Sequence, residues 1–184
     1  MNRLLTLLLA LFALAQVHAA NLGEDLEITP VPGWKSVDPY QSGQPEGPVP
    51  TLKFAPKDGR NAAIIISVLP ARVPGLAVTD RESLEAFNLM SAQPYLPEPD
   101  ALPPVTELRV DGGIGVSITN EDPALIGKPT PPDEYRMATT ATLLLGREHL
   151  IVCTIFHDQR DSTDFREAMK ILLSVAPRRH NISI

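Results

Sequence analysis

The chain has 184 residues, with 16 Lys or Arg against 22 Asp or Glu and a formal net charge of −6. That acidity argues against nucleic acid and against anionic lipid, because both are met by a basic protein face. Cys153 is the single cysteine, so no intramolecular disulfide can form and stability has to come from core packing.

The N-terminus reads Met1-Asn2-Arg3, then an apolar run from Leu4 to Ala15, then Gln16-Val17-His18-Ala19-Ala20. One positive charge, a short apolar run and small residues at −3 and −1 describe a secretory signal. Val17 and Ala19 fill those two positions, so cleavage is expected after Ala19. The run is shorter than the roughly 20 apolar residues that span a bilayer. We therefore expect export to the periplasm, a soluble product and no stable membrane insertion. The domain expectation is a signal peptide over 1–19, one domain over 20–177 and a loose tail over 178–184.

In chain order, Leu26–Val31 alternates as a half-buried strand does. Thr51–Ala55 and Ala62–Leu69 flank Lys57-Asp58-Gly59-Arg60, where Asp-Gly signals a hairpin. Thr79 and Glu82 have the spacing of a capping box, which predicts a helix from there to about Ala92. Val105–Val110 and Ile114–Thr119 flank Asp111-Gly112-Gly113, a second hairpin. Tyr135–Leu145 and Glu148–His157 meet at Gly146-Arg147, a third. A last helix begins at Asp161 or Ser162. Phe165, Ala168, Met169, Leu172, Leu173 and Ala176 form its apolar stripe, and Pro177 is expected to stop it. The 19 prolines cluster between these elements, over 44–50, 94–104 and 128–132, as stiff surface loops. The expected fold is α+β: an antiparallel sheet of about six to seven strands flanked by two main helices.

A first strand running into Val31-Pro32-Gly33-Trp34, then hairpins, a mid-chain helix, more hairpins and a closing amphipathic helix resembles the PsbP/Mog1-like superfamily. The resemblance implies a sandwich-like central antiparallel sheet with flanking helices, in a superfamily of mostly non-enzymatic binding and assembly factors. It brings no metal or partner site with it.

Catalytic motifs are not found. Gly115-Val116-Ser117-Ile118-Thr119 lacks the last glycine of a nucleophile elbow and lies in a strand. Gly112-Gly113-Ile114-Gly115 leads into a strand, whereas a phosphate cradle leads into a helix. His149 and His157 share a strand face about 27 Å apart, too far to hold one metal. Asp158, Asp161 and Asp164 suggest calcium by spacing, but no glycine turn accompanies them; Asp161 is read as a helix cap and Asp164 as opposing the helix dipole. Cys153 reads as a core residue. No cofactor is expected.

Two loops carry the sharper expectation. Gln93-Pro94-Tyr95-Leu96-Pro97-Glu98-Pro99-Asp100 and Pro129-Thr130-Pro131-Pro132-Asp133-Glu134-Tyr135 set tyrosines among prolines and acids. Tyrosine is a frequent interface anchor, and proline lowers the entropy lost on binding. Tyr95, Asp133, Glu134 and Tyr135 are thus the candidate partner-binding residues. The expected function is a non-catalytic module recognising a protein partner, itself basic, as an inhibitor or immunity-type protein or an envelope assembly factor. The alternatives are a small hydrolase using dispersed acids and one histidine, which requires His149 or His157 in a pocket beside a carboxylate, and a small-ligand carrier.

Overall fold

The computed structural model describes residues 19–38, 49–73, 75–96, 103–132 and 134–178. The expected signal segment before Ala19, Asp133 and the tail beyond Arg178 lie outside the described residues.

The chain forms β1 (Ala20–Leu22), β2 (Leu26–Ile28), β3 (Trp34–Val37), β4 (Thr51–Pro56), β5 (Ala63–Pro70), β6 (Arg72–Val73), β7 (Leu76–Ala77) and α1 (Arg81–Ala92). These are followed by β8 (Thr106–Leu108), β9 (Gly113–Glu121), β10 (Met137–Leu145), β11 (His149–His157), α2 (Thr163–Leu173) and β12 (Ala176–Pro177). Seven strands make one antiparallel sheet in the order β3-β4-β5-β11-β10-β9-β8. Two meanders therefore join edge to edge, with β11 beside β5. A small sheet, β1-β2-β12, and the β6–β7 ribbon complete the strands of the described residues. The expected α+β fold, with its antiparallel sheet and two helices, is what the chain adopts.

The helices cover opposite faces of the large sheet. On one side, Ala168, Ile171 and Leu172 of α2 and Leu22, Leu26 and Ile28 of the small sheet pack with Phe54, Ile64, Ile66, Leu143, Ile151 and Ile155. On the other side, Leu84 and Phe87 of α1 meet Val116, Leu144 and Leu150. β10 lies between two partners and is covered on both faces, and all nine of its residues except Ala138 are buried. Among the described residues, no helix is long and apolar enough to cross a membrane.

Several sequence expectations shift. The α1 cap is Asp80, not Thr79: Ser83 N–H donates to Asp80 Oδ1 at 2.9 Å, and Asp80 N–H donates to Ser83 Oγ at 3.2 Å. A carboxylate accepts more strongly than a hydroxyl and answers the positive end of the helix dipole, so the box closes one residue later. Likewise Ser162, not Asp161, caps α2 by accepting Phe165 N–H at 3.1 Å, while Asp161 turns the chain at φ +58°. Pro177 does not stop α2. The helix ends at Leu173, and Ala176–Pro177 pairs with Leu26 and Glu27 of β2. The expected strand over Leu26–Val31 ends at Ile28 and pairs with β1 through a turn at Gly23, φ +75°.

The glycine-rich stretch is a hairpin. Gly113 begins β9, and a Cβ there would fall 2.3 Å from the Leu144 carbonyl oxygen. Glycine is required at that position by close backbone approach.

Candidate binding cleft

α1 stops at Ala92, short of the last cross-strand row on its face of the sheet. In that row Asn120 of β9, Ala138 of β10 and Phe156 of β11 are direct neighbours by register. Ala138 is the smallest side chain of the three, so the middle of the row is hollow. The 3-10 turn Gln93–Tyr95 after α1 brings Pro94, Tyr95 and Leu96 over one side. Asp122, Pro123, Leu125, Glu134, Tyr135 and Arg136 close the other side, leaving an open cavity of about 590 Å³.

Three aromatic rings line it. Phe156 takes Tyr95 edge-on at 5.7 Å between centroids and Tyr135 tilted by 32° at 5.1 Å. These are favourable aromatic geometries. Three of the four residues singled out from sequence therefore meet in one place: Tyr95, Glu134 and Tyr135 all line this cleft, and Asp133 lies outside the described residues. Phe156, Asn120, Ala138 and Arg136 were not foreseen, because their meeting depends on strand register.

The approach to β10 is held by polar contacts. Asn61 Nδ2 donates to the Glu134 carbonyl at 2.7 Å and to Asp158 Oδ2 at 3.0 Å. Arg136 N–H donates to Asp158 Oδ1 at 3.3 Å, and its Nη2 donates to the Lys128 carbonyl. Asp122 Oδ1 accepts Ala124 N–H at 2.8 Å and fixes the turn over Pro123–Leu125.

The histidines occupy other places. His157 is 1% exposed on the opposite face, stacked 4.8 Å from Phe165. The Gln159 carbonyl can only accept, so Nδ1, at 3.0 Å, carries the proton. Nε2 then accepts from the Thr139 hydroxyl at 3.0 Å, and Thr139 accepts from Thr119 at 2.8 Å. Burial pushes the His157 pKa down, which favours this neutral form. A depression beside it contains Thr119, Arg160 and Asp161, yet both ring nitrogens are already engaged. His149 lines a separate depression with Glu24, Asp25 and Glu148.

The Asp158-x-x-Asp161-x-x-Asp164 series does not converge on one point. Asp158 holds Asn61 and Arg136, whereas Asp164 pairs with Arg60. Among the described residues, no group of three or more His, Cys, Asp or Glu is placed to hold a metal ion. Cys153 is buried in the core, and desolvation raises its pKa far above the ordinary thiol range.

No known protein family matches the chain, and no curated protein matches it. Among solved structures, the chain aligns with a protein from Bacteroides thetaiotaomicron VPI-5482 at 8% identity and a TM-score of 0.48. The match covers 84% of this chain and 45% of that one, so this chain spans less than half of that neighbour.

Proposed function

We propose that this protein is an exported, periplasmic, non-catalytic module that binds a protein partner through the cleft beyond α1. The observation that carries the reading is the convergence of Tyr95, Tyr135 and Phe156 over the hollow Asn120–Ala138–Phe156 row. Ligand sites are concave, largely apolar and aromatic, with a few placed polar groups. The cleft joins aromatic and aliphatic side chains to a comparable polar surface, and Asp122 and Glu134 in its lining suit a basic partner. The likeness in element order to the PsbP/Mog1-like superfamily points the same way.

The test compares the wild-type chain with a Tyr95→Ala/Tyr135→Ala double variant in crosslinking capture from envelope extracts, read by mass spectrometry. A partner held by the wild type and lost from a folded double variant is expected. A captured set unchanged by the two substitutions would remove the cleft from the account.

A second reading is a small hydrolase working from His149, favoured by Glu24, Asp25 and Glu148 lining the same depression. It predicts turnover of model ester or glycoside substrates that His149→Ala abolishes. Wild-type protein inert across such panels would count against it.

A further inference from the structure

The last strand, β12, aims the chain at a cavity distinct from the aromatic cleft. β12 runs antiparallel to β2, with Ala176 opposite Glu27 and Pro177 opposite Leu26. Arg178 N–H extends the ladder by donating to the Asp25 carbonyl at 2.8 Å. The chain is thus heading along β2 toward the Gly23 turn. Residues 22–26 form one wall of a depression of about 420 Å³, and Pro50, Val68, Glu148 and His149 belong to its other walls.

The apolar and acidic parts of this lining are distinct. Leu22 and Leu26 are buried in the large core cluster, and Val68 packs against it half-buried. Glu24, Asp25 and Glu148 are exposed, and none of the three forms an ion pair among the described residues. Such a lining suits a short segment that is basic at one end and apolar at the other. The sequence after Arg178 is one: Arg179-His180-Asn181-Ile182-Ser183-Ile184. Its basic residue comes first, where the ladder has reached Asp25 and Glu24. Ile182 and Ile184 are two apart, so an extended segment sets them on one face. At about 3.3 Å per residue, this stretch reaches roughly 20 Å, enough to cross a depression of that volume.

We propose that residues 179–184 dock in this depression of their own chain, with Arg179 against Glu24 and Asp25, and Ile182 and Ile184 against Leu22 and Val68. A segment tethered at the rim competes at an effective concentration on the order of millimolar, ahead of a like segment from a partner. Seated there, it fills the space that a substrate of His149 would need. The docking is independent of the cleft that carries the protein-binding reading.

The experiment attaches a nitroxide to Ser183→Cys in the full chain; Cys153 is buried and does not compete for the reagent. The amide resonances of Gly23, Val68 and His149 are expected to weaken at least twofold relative to the reduced label. Those of Ala138 and Phe156, at the other end of the sheet, should keep their intensity. Glu24→Gln/Asp25→Asn/Glu148→Gln replaces only exposed side chains, so the core is left intact, and it should restore the lost intensity. Ile182→Asn/Ile184→Asn should do the same. Intensity lost nowhere, or lost evenly over the surface, overturns the docking, as does a loss that survives both sets of substitutions. A loss seen when unlabelled, isotope-enriched chain is mixed with nitroxide-bearing chain overturns it in favour of exchange between two copies. None of these outcomes touches the cleft, which the Tyr95→Ala/Tyr135→Ala capture tests separately.

Discussion

The two faces of the seven-stranded sheet are finished with unlike materials. The face under α2 is closed by an apolar layer that runs from Trp34 and Phe54 through Leu143, Leu145, Ile151 and Ile155 to Val175, and of the buried polar groups on this face Thr139 and His157 are hydrogen-bonded to each other. The face under α1 has a smaller apolar cluster, and polar groups sit beside it: Asn88, Thr140, Thr142 and Asn120 are all buried there. Thr142 donates to Asn88 Oδ1 at 2.8 Å, but Thr140 Oγ1 and the amide nitrogens of Asn88 and Asn120 have no partner. One face has the character of a stability core. The other leaves side-chain polar atoms unpartnered along a strip that ends at the candidate cleft.

Adjacent leucines of β10 offer the most direct way to break this contrast. Leu143 points into the large cluster and Leu144 into the small one. Leu→Ala in a well-packed core costs roughly 2–5 kcal/mol, and more where the surroundings cannot collapse. Leu143→Ala is expected near the top of that range and Leu144→Ala near the bottom, measured by urea unfolding. Equal costs would mean that the two faces are packed alike.

The second test has the opposite sign. Thr140→Val keeps the shape of the side chain and removes a buried hydroxyl that bonds to nothing. It should stabilise the protein by about 1 kcal/mol. The same substitution at Thr139, whose hydroxyl bonds to both His157 and Thr119, should destabilise it. A loss at Thr140 would show that its hydroxyl has a partner in solution and that the polar strip is satisfied.

Much of the large-cluster face is legible in the sequence, because the Asp58-Gly59 turn marks the β4–β5 hairpin and the stripe of α2 is a strong periodic signal. β1 and β12 are not legible: three and two residues carry no period, and the pairing of β12 with β2 is long-range. The cleft is half legible. Tyr95 and Tyr135 stand out as tyrosines among prolines, but the floor needs register. A two-residue turn at Gly146-Arg147 would set Ala138 opposite Ile155. The turn runs over Gly146-Arg147-Glu148, and that one-residue difference moves Phe156 into the row instead. A slip of one residue exchanges the faces of a strand. Asn120 could not be counted at all, because 15 residues separate β9 from β10 and no short turn sets their register.

His157 supplies a smaller, pH-dependent test of the closed face. Burial lowers its pKa, with Arg160 acting in the same direction and the Gln159 carbonyl, Asp158 and Asp164 opposing it. Below the ordinary imidazole value of about 6.5 the unfolded chain takes up a proton that the folded chain refuses. Stability is therefore complete above that value and falls as pH drops from it toward the lower folded pKa. Unfolding free energies at pH 7.5, 6.5 and 5.5 should show this decline, and His157→Gln should flatten it. A wild-type stability that is level across the window would mean that the imidazole is solvated and the closed face is open at that end.

The smallest expected effect lies at the rim of the same face. Arg60, in the turn between β4 and β5, pairs with Asp58 at 2.9 Å, with Glu167 at 3.4 Å and with Asp164, both of the latter on α2. Glu167 also accepts the Trp34 indole N–H at 2.9 Å, so one carboxylate ties the β4–β5 turn and the start of β3 to the helix. The guanidinium is about one-third exposed, and water and salt screen such pairs strongly. If α2 is held mainly by its apolar stripe, Arg60→Ala should lower Tm by only about 1–2 °C, and the difference should vanish in 1 M NaCl. A drop of many degrees that persists in high salt would instead make the charged rim, and not the apolar layer, what keeps α2 on the sheet. The contrast between the two faces would then have to be redrawn as one between a clamped helix and a packed one.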